Sequence, residues 1–82
     1  MAIPLDVLHE MNLLAHFDLH SMQKGIKVHS DAAPELVEAA QRLFAKELID
    51  QPDGGYLTSL GHEAAEHVQH VLQILRPAVT TD

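Results

Sequence analysis

Seven histidines in 82 residues are the side chains of this chain best suited to chemistry, because neutral imidazole is the commonest metal ligand and titrates near physiological pH. Their spacing limits what they can do. His62 and His67 stand five residues apart, about 140° around a helix, so His62-Glu63-Ala64-Ala65-Glu66-His67 is not the His-Glu-x-x-His zinc motif. Glu63, His67 and His70 fall at i, i+4 and i+7 on one helical flank and form a weak candidate for a three-ligand metal set. A Glu and two His on such a flank are more often solvated surface. His9, His16 and His20 share faces only if a first helix continues past Phe17. Nucleophilic chemistry has no signal. The chain lacks cysteine, Ser21, Ser30 and Ser59 occupy turn or cap positions, and Gly54-Gly55 lacks the Lys-Ser/Thr of a phosphate loop. No catalytic residue and no cofactor is expected, so the chain reads as a non-enzyme.

The second constellation is cationic. Lys24, Lys27, Arg42 and Lys46 gather in the middle third and are the candidates for contact with DNA phosphates, with Arg76 alone outside. Opposing them, twelve acidic residues against five basic ones give a formal net charge of −7, a field that repels polyanions. Glu38 and Arg42 lie four apart and can pair along a helix.

The elements that must position these residues follow from periodicity and caps. Pro4 suits a helix start, and Leu5, Leu8, Met11 or Asn12, and Ala15 recur at helical spacing to about His16. Asp18 can cap, and Gly25 stop, a short helix, after which Ile26-Lys27-Val28-His29 alternates as a half-buried strand does. Ser30 or Asp31 caps the next helix, Pro34 sits in its first turn, and Leu36, Val37, Ala40, Leu43 and Phe44 form its apolar stripe. Gln51-Pro52-Asp53-Gly54-Gly55, set between Leu48-Ile49-Asp50 and Tyr56-Leu57-Thr58, reads as a hairpin with Leu48 and Leu57 inward and Tyr56 half exposed. Thr58 caps the last helix, whose Leu60, Ala64, Val68, Val71, Leu72 and Leu75 are its expected buried stripe, and Pro77 ends it.

Leu43-Phe44-Ala45-Lys46-Glu47-Leu48-Ile49, the hairpin, and Tyr56-Leu57-Thr58-Ser59-Leu60-Gly61 together resemble the helix–wing–helix half of many bacterial transcription regulators. Glu47 stands where that pattern usually has glycine before Leu48-Ile49. The whole chain also resembles a small uncharacterised bacterial family of near-identical length, some members of which are labelled DNA-binding or regulatory. The resemblance implies a winged-helix-like fold and a regulator that touches DNA. Two features of the sequence run against the second implication. The helix placed to read bases begins with Glu35 and Glu38, and the wing tip carries Asp50 and Asp53 where DNA-touching wings carry Arg or Lys.

The expectation is therefore a mainly helical α+β fold, winged-helix-like, with three to four helices and a small two- or three-stranded antiparallel sheet. It spans 1–77 as one domain, with 78–82 a flexible tail. A non-catalytic regulator, DNA-contacting or alternatively an acidic protein-interaction module of the same scaffold, is the functional expectation. DNA is a partner disfavoured by charge, a protein partner is open, and a homodimer is one route to stability, because a single core this small supplies only about 3–5 kcal/mol. Neither a leader nor a membrane span is visible, so a cytoplasmic location is expected.

Overall fold

The computed structural model describes residues 2–21 and 24–76. Pro4 caps the first helix, α1 (Leu5–Ala15), and its carbonyl accepts from the Leu8 N–H at 3.0 Å. The buried face of α1 is not the expected one. Glu10, Leu13 and Leu14, continued by Phe17 at the same spacing, turn inward, whereas Leu5 and Leu8 are exposed. A carboxylate heads the inward stripe, and it interrupts the apolar signal that would have marked that face. Beyond α1, Asp18 Oδ1 accepts from the His20 N–H at 2.9 Å and closes a turn at Leu19–His20. Across the described residues of 18–25 this turn replaces the short helix; Met22 and Gln23 lie outside them.

Strand β1 (Ile26–Lys27) leads through a turn at Ser30–Asp31 to α2 (Pro34–Ala45). Proline opens α2 at a position whose N–H would be unpaired anyway, and Ala33 precedes it with no side-chain cap; Ser30 and Asp31 belong to the turn before. Ala39, Ala40 and Leu43 are buried, Leu36 and Val37 half-buried, and Phe44, expected on the stripe, is exposed. The helix ends in a Schellman motif. Leu48 N–H donates to Leu43 O and Glu47 N–H to Phe44 O, both at 2.9 Å, with Glu47 in the left-handed region at φ 66°.

Strands β2 (Ile49–Gln51) and β3 (Gly54–Leu57) are joined by Pro52-Asp53 alone, so the two glycines lie in β3 and not in the loop. Their positive φ values, 129° and 75°, serve an irregular register in which Ile49 faces Leu57 but Gln51 faces Gly54. Asp50 Oδ1 accepts from the Tyr56 N–H at 2.9 Å across that irregularity. β1 pairs antiparallel on the other side of β3, giving the order β1-β3-β2.

Thr58 locks the hairpin to the last helix, α3 (Ser59–Leu75). Its hydroxyl accepts from the Gly61 N–H at 3.0 Å and donates to the Glu47 carbonyl at 2.7 Å, while its N–H donates to Leu48 O. Gly61 itself lies so close to the Leu48 carbonyl that any Cβ would collide with it. The inward face of α3 is made of small residues, Gly61 and Ala65 fully, with Ala64 and Val68 packed on the core. Leu60, Val71 and Leu75, expected inside, are exposed. Small residues let α3 approach closely and leave its large ones at the rim.

The core joins Leu13, Leu14 and Phe17 with Ala39, Ala40 and Leu43 of α2, Ile49 of β2 and Ala65 of α3; Leu48 and Leu57 pack against it and Tyr56 stays half exposed. The fold class is the expected one, a mainly helical α+β arrangement of three helices and a three-stranded antiparallel sheet. Between Lys24 and Pro34 the chain contains a strand and no helix, so α2 has no partner helix across a short turn. Pro77 and the expected tail at 78–82 lie outside the described residues.

Candidate functional site

Each of the four candidate DNA contacts stands beside a carboxylate of the same chain. Arg42 and Lys46, one turn apart on α2, both point at Glu10 of α1. Arg42 Nε donates to Glu10 Oε2 at 2.7 Å and Lys46 Nζ to Oε1 at 2.6 Å, and Arg42 Nη2 also reaches the Asp6 carbonyl at 3.0 Å. Arg42 is thus turned toward α1 and not along its own helix toward Glu38, as the spacing suggests. Glu10 is the one buried charged residue among those described. Burial pushes its carboxyl pKa up, but the hydrogen bonds and charges of Lys46 and Arg42 outweigh burial and hold it below the ordinary glutamate range.

The other two cations are separate from that cluster. Lys27, on β1, pairs with Asp53 in the hairpin loop, and this hydrogen bond holds the Asp53 carboxyl below its usual range. Lys24 stands 3.8 Å from Asp18 in the connection before β1. The four cations are therefore three local ion-pair sites, not one stripe. None of the three partner acids was legible as a partner, because the contacts close across 6 to 36 residues of sequence with no periodic signal.

A cleft of about 790 Å³ opens between α2, the β1–α2 connection and the hairpin loop. Val28, Val37, Ala40 and Pro52 supply its apolar surface; the Lys27–Asp53 pair, His29 and Asp31 supply polar groups. Ser30 also lines it, but among the described residues its hydroxyl makes no hydrogen bond to His29 or Asp31. Nor is a metal set assembled. Among the described residues no three His, Asp or Glu side chains converge on a common point, Glu63, His67 and His70 included. The reason is geometric: two turns of one helix spread i and i+7 over about 10 Å along its axis. His62 instead lies 3.8 Å from Glu66, one turn on.

The described surface carries more large apolar side chains than cations. Ile3, Leu5 and Leu8 at the start of the chain, Phe44 on α2, Tyr56 on β3, and Leu60, Val71, Ile74 and Leu75 on α3 are all exposed. None of the described helices is long and apolar enough to cross a membrane.

Fold and surface together define a small acidic α+β protein in which four of the five cations are paired with carboxylates of the same chain and large apolar groups are exposed. Its sequence matches the profile of a family of unknown function, DUF5669, over residues 1–76, and the chain belongs to that family. No curated protein and no solved structure matches it.

Proposed function

We propose that this chain is a non-catalytic protein-interaction module on a winged-helix-like scaffold, in which the helix and hairpin that elsewhere touch DNA do not do so. The observation that carries this reading is the pairing of Lys24, Lys27, Arg42 and Lys46 with Asp18, Asp53 and Glu10. DNA affinity comes chiefly from cations that displace condensed counterions from phosphates. A cation already neutralised by its own chain must first give up that partner, and Arg42 and Lys46 would strand a buried Glu10 in doing so. Exposed apolar side chains supply what such a module needs, since contiguous apolar surface is where protein partners dock.

The second reading, a DNA-contacting regulator, is favoured by the succession α2, hairpin, α3 and by Lys46, whose side chain is 53% exposed. Titration of the chain with a fluorescent mixed-sequence duplex at low salt separates the two. No binding is expected. Binding that falls steeply with added salt and is weakened in Lys27→Ala, an exposed site whose loss leaves the core untouched, would establish the DNA reading instead.

A further inference from the structure

Along the outer flank of α3 the residues Leu60, Ala64, His67, Val71 and Ile74 recur at steps of four, three, four and three, the spacing of a two-stranded helix seam. Among the described residues nothing covers them: Leu60 is 54%, Val71 46% and Ile74 64% exposed, His67 is exposed, and only Ala64 is half-buried. The core of the protein uses the adjacent face, through Gly61, Ala65 and Val68. The far end of α1 is closed separately, by the Gln69 amide donating to Leu14 O and Phe17 O.

We infer that this seam is the contact surface for a second copy of the chain, the two α3 helices lying antiparallel with His67 on the two-fold axis. The inference rests on the interaction-module reading and names its partner. The flank is complementary to itself in that arrangement. Reversing the helix about His67 sets Leu60 opposite Ile74 of the second copy, with Leu75 next to it, and small Ala64 opposite His70, one residue short of branched Val71. Leu75, the most exposed of the described large apolar side chains, then borders the hole that receives Leu60. The same operation brings Glu63, on the seam's solvent edge, beside His70 of the other copy, where an imidazole N–H in either protonation state donates to the carboxylate. A parallel pairing would place Glu63 against no such group. Self-repulsion is weak here, because only Glu63 and Glu66 of the twelve acidic residues lie on α3, and Glu66 faces away from the seam beside His62.

Sedimentation equilibrium of the full chain over a concentration series tests the pairing. A species of twice the 9.0 kDa chain mass is expected, and Ile74→Glu should leave only the monomer with an unchanged far-UV circular dichroism spectrum, since that side chain contributes little to the fold. The chain has no cysteine, so introduced thiols report orientation. His67→Cys chains should form a disulfide-linked dimer on mild oxidation. Leu60→Cys chains should not link to one another but should link to Ile74→Cys chains. A wild-type monomer at high concentration, or a dimer indifferent to Ile74→Glu, overturns the pairing, and self-linkage of Leu60→Cys overturns its antiparallel sense. The module reading would survive each of these results; salt-sensitive duplex binding is what removes it.

Discussion

Glu10 carries two cations on one buried carboxylate, and its titration is a test of how much the fold depends on them. Its pKa in the folded chain is lowered from the ordinary 4.5, so the unfolded chain takes up a proton first as pH falls. The contribution is therefore fully present above about pH 4.5, declines below it, and is lost once pH passes the folded value. Denaturant unfolding followed from pH 7 to pH 3 should show this decline, and Glu10→Gln should flatten it. At pH 7 the same variant should cost about 1–3 kcal/mol, since Arg42 and Lys46 lose their shared anion but remain partly solvated. An unchanged pH profile in the variant would place the acid sensitivity elsewhere. Glu10 also explains why the candidate site was only half legible from sequence. The cations could be counted, whereas the acids that occupy them lie on other elements and become partners only through the packing of α1 on α2 and of β1 beside the hairpin.

At the scale of elements, the end of α2 is the place where local sequence and local geometry disagree. Glu47 occupies the left-handed position of a Schellman motif, with φ 66°, where the helix–wing pattern that the sequence resembles has glycine. A side chain in that region costs about 1–2 kcal/mol, and a negative charge at a helix C-terminus opposes the helix dipole. Glu47→Gly should relieve both, offset by the greater freedom of glycine in the unfolded chain, for a net gain of about 0.5–1 kcal/mol. Glu47→Gln isolates the charge and should gain less; a loss of stability in Glu47→Gly would mean that the carboxylate makes a compensating contact. Element identity was otherwise readable where a residue dictates backbone, as Pro34 does at the start of α2, Pro52 in the hairpin and Thr58 at the cap of α3. Which face turns inward was not readable where small or charged residues fill the contact. Glu10 hid the inner face of α1, and Gly61 with Ala65 hid that of α3, so the larger leucines and valines pointed to the wrong side.

For the molecule as a whole, charge is the term with the longest reach. Glu10, Asp18 and Asp53 engage four of the five cations, so most of the twelve acidic residues add to a net charge of −7 without local compensation. Salt acts on this balance in two directions. It screens repulsion among acids spread over the surface, and it weakens the exposed pairs Lys24–Asp18 and Lys27–Asp53, which contribute little in the first place. The Glu10 carboxylate is buried, so its two pairs respond less. Repulsion should therefore dominate, and the Tm should rise by roughly 4–8 °C between low salt and about 0.5 M NaCl, the shift that about 1 kcal/mol produces in a domain of this size. Protein concentration must be held constant, because self-association would add its own stabilisation. A Tm that falls with NaCl would mean that the surface pairs outweigh the net charge. The lysines at 24 and 27 would then be structural anchors of the sheet's edge, which is a further reason for phosphate not to take them.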